Sequence, residues 1–591
     1  MADSNKNHAT RTAMQALFDT AFYLERNPDV AAAGQDPFEH FCKTGWTEGR
    51  DPASWFSLSY YSRMHKLAED QNPLEHYVTR GEAEGLRTHS YRQRDGYCVQ
   101  DDIRLFSNPS AEDHETRDPS IAAGRLPRAR AMALYLPQFH PIPQNDLWWG
   151  KGFTEWRNVG RGTPRFKGHY QPRIPEEIGH YDLRDGTVMT RQVQMAREAG
   201  LEGFCFYYYW FNGERVLEKP LDAFLGNPDL DCSFAILWAN ENWTRRWDGM
   251  ERDVLLRQDY RSEDDEAFVD DLCRYFRDPR YIRVKGRPLF IIYRPGLIPD
   301  TASTIARWRA LMHERHGIAP WFFMTQGFGE SDPRVYGLDG AMEFPPHKVA
   351  QGLPSIVSQL DITDLRFTGR VSSYDAMVAN AAAQEPAPYP LMRGVSPSWD
   401  NDARRQGGGT TYHGSTPGKY EAWLNEAADY AQAHPFEGES IVFINAWNEW
   451  AEAAYLEPDI HYGAAYLNAT ARALTRDSDG VGKQKVVLVT HDAYLHGAQI
   501  LVKNMARVLT RRFGVEVAII SLGEGPLLED FARIASTYAV GRSKAALEAA
   551  LEKLQSNGFR SAIVNTTVSG RALPSLRKYG FFCLSLVHEL P

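Results

Sequence analysis

The chain has 591 residues, more than one core normally holds, since single cores rarely exceed about 250–300 residues, so several domains are expected. An apolar fraction of 43% and a charged fraction of 24% are those of a soluble globular protein, and a net charge of −10 with no Lys/Arg run argues against nucleic acid as a partner. No run of about 18 apolar residues offers a transmembrane segment, and the N-terminus "MADSNKNHAT" lacks the apolar stretch of a secretory signal, so the expected address is cytoplasmic.

Residues 14–90 hold an imperfect repeat, in which Phe18, Phe22 and Tyr23 map onto Phe56, Tyr60 and Tyr61. Pro37, His40, Gly45 and Gly49 map onto Pro73, His76, Gly81 and Gly85. Each unit reads as two short helices closed by a glycine, with His40 and His76 as packing residues, because a metal site needs more ligands at closer spacing. Residues 105–128 are polar and Pro-bearing and read as a linker.

From 129 to 474 strands alternate with helices. Apolar runs at 131–139, 203–211, 233–240, 288–294, 321–328, 340–345, 391–397 and 441–447 read as eight buried strands. Helical spacing at 188–199, 265–277, 302–315 and 418–433 lies between them, which predicts an α/β fold, a (β/α)8 TIM-type barrel with enlarged loops. A second linker is expected near 475–484. Residues 485–591 then read as a partial Rossmann-like domain, strand, glycine-bearing loop and amphipathic helix, which stops after a strand as if cut short. The single glycine in "HDAYLHGAQIL" is a weak signal for phosphate or acceptor binding.

In such a barrel the chemistry gathers where the strands end. Those ends are rich in Trp, Asn and acids and poor in Lys and Cys, a palette that suits carbohydrate: aromatic platforms, amide and carboxylate partners for hydroxyls, and a pair of acids. The last strand runs into "NAWNEWAEAAYLEP", where Glu449 and Glu452 are spaced to share one face of a helical turn, about 5–6 Å apart at Cβ. Retaining glycosidases hold their carboxyl groups about 5–5.5 Å apart, so these two are the expected catalytic pair, with Asn448, Trp450 and Glu457 as substrate-side supports. The rival acid is Glu241, which with Asn240 forms a second Asn–Glu pair at the end of the third strand.

Further expected substrate contacts are Trp148, Trp149, Glu155 and Trp156 after strand one, Tyr208 and Trp210 on strand two, and Trp243 after strand three. Glu343 and His347 after strand six and Trp399 after strand seven complete that set. His140 is a candidate for substrate contact or for capping a Pro-rich turn, and Asp248, flanked by Arg245 and Arg246, for an ion pair. There is no H-E-x-x-H, close histidine pair or acidic calcium loop, and the six cysteines form no C-x-x-C, so neither metal nor cofactor is expected.

The motifs "YLPQFHPIPQNDLWWGKGFTEWRNV", "GHYQPRIPEEIGHYDLRD", "GFCFYYYWFNGERVLEKP", "WANENWTRRWDG" and "NAWNEWAEAAYLEP" resemble the WbsX-type proteins, also described as glycoside hydrolase family 99-like, over about residues 130–475. The resemblance implies a (β/α)8 barrel, and an oligosaccharide or polysaccharide substrate alongside other cell-surface polysaccharide and O-antigen assembly enzymes. Some such proteins are labelled glycosyltransferases.

Family 99 comprises retaining endo-α-mannosidases in which one glutamate deprotonates the sugar's own 2-hydroxyl and a second serves as acid/base. By carry-over onto Asn448-Glu449-Trp450-Ala451-Glu452, Glu449 is the base and Glu452 the acid/base. Family members have His and Gly where this chain has Ala451 and Ala453, which leaves the sugar open. The repeats are similar to modules found beside bacterial glycan enzymes, and the piece after Lys485 to the start of the acceptor-side half of a GT-B glycosyltransferase. The expected function is therefore a retaining glycosidase or transglycosidase acting on a bacterial surface polysaccharide or its precursor. The alternatives are a non-catalytic glycan-binding barrel serving an attached glycosyltransferase, or a glycosyltransferase.

Overall fold

The computed structural model describes residues 2–68, 70–88, 99–245, 250–475, 485–513 and 515–587. The chain forms two compact units, Met1–Leu474 and Thr475–Pro591. The second linker expected at 475–484, apart from Thr475, lies outside the described residues, as does Asp248. Among the described residues no helix is long and apolar enough to cross a membrane.

The first unit is built on eight parallel strands: β1 (Arg130–Tyr135), β2 (Gly203–Phe211), β3 (Ser233–Trp238), β4 (Arg287–Ile292), β5 (Trp321–Gln326), β6 (Gly340–Glu343), β7 and β8 (Ile441–Ile444). Strand β7 is in two pieces, Leu391–Met392 paired to β6 and Gly394–Val395 paired to β8, so that this one strand closes the ring. Closure is completed by β8 against β1, with Arg130 opposite Ile441 and Ala133 opposite Ile444. Every residue of β2 is buried, as expected where helices cover a parallel sheet on its outer face. The (β/α)8 barrel read from the sequence is thus the observed fold.

Helices Gly186–Glu198, Asp265–Phe276, Thr301–His316, Tyr374–Ala382 and Pro417–Ala433 fill the crossovers. Side-chain caps start several of them: Asp185, Ser373 and Thr416 each accept a hydrogen bond from a first-turn backbone N–H. Between β5 and β6 there is only the short turn Pro333–Tyr336. The β1 crossover is long and carries two extra helices, Pro143–Trp149 and Trp156–Val159, which bring its Trp-rich motif to the barrel mouth.

The two repeats place the same contact twice. Tyr23 Oη meets His40 Nδ1 at 3.0 Å, and Tyr61 Oη meets His76 Nδ1 at 2.9 Å, so both histidines are packing residues. A Cβ on Gly45 or Gly81 would collide with the same tyrosine hydroxyl, which explains why both repeats keep glycine there. Gly81→Ala is expected to break the Tyr61–His76 bond and cost about 1–3 kcal/mol, read as earlier proteolysis of residues 14–88 in a thermal ramp. An unchanged cleavage temperature would mean that the hydroxyl moves aside freely.

The second repeat packs on the barrel: Tyr60 is buried with Phe166, Ile362, Phe367 and Val371, and Arg87 pairs with Asp361. The segment 105–128, expected as a linker, is pinned along the barrel instead. Ser110 N–H donates to His461 O at 2.8 Å, Arg117 pairs with Glu177 and Glu198, and Asn468 Nδ2 donates to Thr116 O at 2.9 Å. A polar, Pro-bearing composition signals irregular backbone, and here its polar groups are spent on the barrel surface.

The second unit is a five-stranded parallel sheet in the order Ser536–Ala539, Glu516–Ser521, Lys485–Thr490, Ser561–Asn565, Phe582–Leu586. Val487 and Val489 belong to one apolar core and Val486 and Leu488 to another, so the sheet is covered on both faces, as in a Rossmann-like fold. After its first strand His491 contacts Gln499 and Thr566, at 2.9 and 3.1 Å.

Candidate active site

The C-terminal ends of the barrel strands surround a cavity of about 570 Å³. Leu136 and Gln138 reach it from β1, Asn145, Trp148 and Trp149 from the following loop, and Tyr207 and Tyr209 from β2. Glu241 and Trp243 follow β3, Tyr293 and Arg294 follow β4, and Phe344 and His347 follow β6. Trp399 and Arg404 come from the loop after β7, and Glu449 and Glu452 from the turn after β8.

The electrostatic centre is Arg404, which the sequence reading did not single out. It is 8% exposed, and its guanidinium touches three carboxylates. Nε donates to Glu155 Oε1 at 2.7 Å, Nη2 to Glu449 Oε2 at 2.9 Å and Nη1 to Glu452 Oε1 at 2.5 Å. Glu449 and Glu452 are therefore held by the two terminal nitrogens of one planar group, a fixed relative geometry that a lysine would not give. Burial pushes the Glu449 carboxyl up to about 8; Glu452 and Glu155 push the same way and Arg404 opposes. Burial also raises Glu452, again against Arg404. Glu449 and Glu452, both raised beside one cation, share a proton at neutral pH, and that proton belongs to the pair rather than to either acid.

Arg404 is positioned by residues of the "GHYQP" motif. His169 Nδ1 accepts the Arg165 N–H at 3.0 Å, so its proton lies on Nε2 and is donated to Asp400 Oδ2 at 2.7 Å. Gln171 Nε2 donates to the same oxygen at 2.7 Å, and Thr411 Oγ1 donates to Asp400 Oδ1 at 2.9 Å. Burial alone would raise Asp400; the His169 ring, the Asp402 N–H and the charge of Arg173 hold it below the ordinary carboxylate range. Arg165 clamps Asp402, which also accepts the Gly407 N–H at 2.8 Å and starts the short helix Asp402–Arg405 that carries Arg404. The Asp400 N–H donates to Glu452 O at 2.8 Å, tying this loop to the acid turn.

The two Asn–Glu pairs are built alike. Asn448 Oδ1 accepts the Leu136 N–H at 2.7 Å and its Nδ2 donates to Leu136 O at 3.0 Å, joining the end of β8 to the end of β1. Asn240 Oδ1 accepts the Arg294 N–H at 2.7 Å and its Nδ2 donates to Arg294 O at 2.7 Å, joining β3 to β4. Each asparagine thus replaces a missing ladder rung and leaves the next residue, Glu449 or Glu241, facing the cavity. Neither Asn240 nor Asn448 reaches the cavity, which corrects their expected role as substrate contacts. Glu241 differs from Glu449 in its partner, an Arg294 ion pair at 2.7 Å on a more exposed rim.

Other expected contacts lie elsewhere. Glu457 is buried under four donors, Gln192 Nε2, Tyr181 Oη, Trp447 Nε1 and Trp450 Nε1, at 2.6, 2.9, 3.1 and 2.6 Å. Burial pushes its carboxyl up to about 7 against those donors, and it braces the turn from behind. Trp450 is fully buried, stacked on Tyr455, and Trp156 donates to Tyr181 O at 2.7 Å. Glu343 pairs with Arg393 at 2.7 Å at the break in β7. Glu155 is buried behind Arg404, and His140 is buried away from the cavity.

Tyr208 and Trp210 fail for a reason of parity. Successive strand residues face opposite sides. Tyr207 and Tyr209 face the cavity, while Tyr208 and Trp210 pack on Phe268 of the helix Asp265–Phe276, and Tyr208 Oη donates to Asp271 at 2.7 Å. Counting alternation in "FYYYWF" was the available signal for the missed pair. Trp148, Trp149, Trp243, His347 and Trp399 do line the cavity, with Glu241, Glu449 and Glu452.

The family described as Glycosyltransferase WbsX matches residues 131–470. WxcX of Xanthomonas campestris pv. campestris strain B100 is 46% identical over 389 residues, 66% of this chain and 55% of that protein. WxcX of a second strain of the same pathovar is 46% identical over 361 residues, 61% of this chain and 52% of that protein. The chain thus spans about half the length of the relatives it matches. Among solved structures, a GH99 endo-alpha-mannosidase from Bacteroides thetaiotaomicron, in complex with BIS-TRIS propane, is 17% identical, with 59% of this chain and 97% of that one covered and a TM-score of 0.37. With the match running through all eight strands and the turn that carries Glu449 and Glu452, the chain belongs to the WbsX family.

Proposed function

We propose that the barrel is a retaining glycosidase or transglycosidase acting on a surface polysaccharide of the O-antigen type or its precursor, with Glu449 and Glu452 as the working acids. The observation that carries this reading is the pair itself, two carboxyls on the terminal nitrogens of one buried guanidinium, facing a cavity walled by indoles. Trp148, Trp149, Trp243 and Trp399 offer stacking faces for sugar rings, and the cavity volume suits a short stretch of glycan.

In the first step the base takes the proton of the sugar's 2-hydroxyl, and the freed oxygen attacks the anomeric carbon. The bond to the leaving oxygen breaks as the acid protonates it, giving a 1,2-anhydro sugar. In the second step the acid, now a carboxylate, takes a proton from water or from another sugar's hydroxyl, whose oxygen opens the anhydro ring as the base returns its proton to O2. Two inversions give net retention. The resemblance gives the base role to Glu449 and the acid/base role to Glu452. Both roles require one proton for two carboxyls: burial favours keeping it, Arg404 lets the other carboxyl ionise, and the first step starts with the shared proton on Glu452.

The test uses oligosaccharides cut from the polysaccharide of the strain that encodes this chain. Retention at the anomeric carbon by NMR, with no turnover of the matching 2-deoxy glycoside, is the expected result. An inverted product, or bond formation only from a nucleotide sugar, would sink the proposal.

A further inference from the structure

The wall of the cavity formed by the β1 loop carries buried polar atoms that the acid cluster does not use. Asn145, on the helix Pro143–Trp149, is 1% exposed and lines the cavity, yet neither its Oδ1 nor its Nδ2 has a hydrogen-bond partner in the protein. Gln138 is 4% exposed and lines the same wall; its Nε2 donates to Tyr209 Oη at 3.4 Å, and its Oε1 has no partner. Leaving a buried amide group unpaired costs about 1–3 kcal/mol, so native proteins rarely keep such atoms without a partner supplied from elsewhere. Here three such atoms belong to two residues of one wall, which Trp148 and Trp149 also line.

The chemistry of these atoms is specific. A carboxamide presents a donor and an acceptor side by side in one plane, the pattern that two adjacent hydroxyls complete, since each hydroxyl both donates and accepts. Gln138 Oε1 adds an acceptor alone. We propose that Asn145 and Gln138 form a hydroxyl-reading subsite that takes a pyranose ring by a vicinal pair of free hydroxyls at Asn145, with a third hydroxyl donating to Gln138. A ring deoxygenated or O-acylated at either of the two adjacent positions leaves the amide unpaired or clashes with it, and is rejected. The inference rests on the reading of the cavity as a saccharide site and adds which hydroxyl pattern it selects.

The experiment is saturation-transfer NMR and titration of the full chain with a panel of methyl pyranosides, followed by the monodeoxy analogues of the tightest binder. On the native chain, loss of either of two adjacent hydroxyls should weaken binding at least tenfold, and loss of the others should not. In Asn145→Ala the parent glycoside should weaken to the level of its deoxy analogues and the discrimination should vanish. The deoxy series on the native chain needs no variant, so a folding defect in Asn145→Ala cannot mask the answer. A glycoside that binds without dependence on adjacent hydroxyls, or discrimination that survives in a folded Asn145→Ala, overturns the subsite and leaves the saccharide reading standing. If no pyranoside of the panel binds, the saccharide reading falls and the subsite with it.

Discussion

Arg404→Met should abolish measurable turnover and destabilise the barrel by about 3–5 kcal/mol at neutral pH, the usual penalty for removing one partner of a buried ion pair. Methionine keeps much of the volume, so the cost is electrostatic: Glu155, Glu449 and Glu452 lose the cation that all three share. Activity goes because the two acids lose both their common anchor and the charge that lets one of them ionise.

The pH dependence gives this prediction a signature that a packing defect would not have. Glu449 is raised to about 8 in the folded chain, against about 4.3 for an unfolded glutamate. Between those values the folded state binds more protons than the unfolded one, so the stability contributed by this group is complete below about pH 4.5 and is lost as pH rises through about 8. Without Arg404 the carboxyls rise further, and the deficit of the variant should widen from pH 5 to pH 8.5 in urea titrations. A deficit that stays constant over that range would mean that Arg404 acts through shape alone.

What the sequence disclosed follows from which forces are local. Eight apolar runs announce a parallel barrel because burial on both faces leaves no polar alternation, and the spacing of Glu449 and Glu452 is a property of one short turn. The break in β7 at Arg393 was not legible, since it depends on Glu343 of the neighbouring strand accepting from both Arg393 and Gly394. Arg404 was missed for a similar reason. It lies in "NDARRQGGGTTYHG", which has no apolar period, and its partners are 45, 48 and 249 residues away in sequence. Tyr208 and Trp210 differ, because strand alternation is legible in "FYYYWF" and its parity alone decides that they pack on Phe268 while Tyr207 and Tyr209 face the cavity. Asn240 and Asn448 show the converse: an Asn–Glu motif at a strand end can place its asparagine between neighbouring strands, while the adjacent glutamate faces the cavity.

Glu449→Gln and Glu452→Gln should each lower turnover by roughly 10²–10⁴-fold while the fold is kept, the range for loss of a general acid or base. The two losses should differ in kind. With an aryl glycoside whose leaving group needs no proton, the first step of Glu452→Gln should recover toward the native rate, because only protonation of the leaving oxygen was lost. Glu449→Gln should not recover, since the 2-hydroxyl still has to be deprotonated. Glu241→Gln is the control that separates this route from one with a conventional nucleophile. Paired with Arg294 at the rim, Glu241 should act on binding, so its replacement should raise KM with kcat within about tenfold of native. If Glu241→Gln instead abolishes turnover and a 2-deoxy glycoside remains a substrate, Glu241 is the nucleophile and one of the Arg404-bound acids serves only to set the charge of the other.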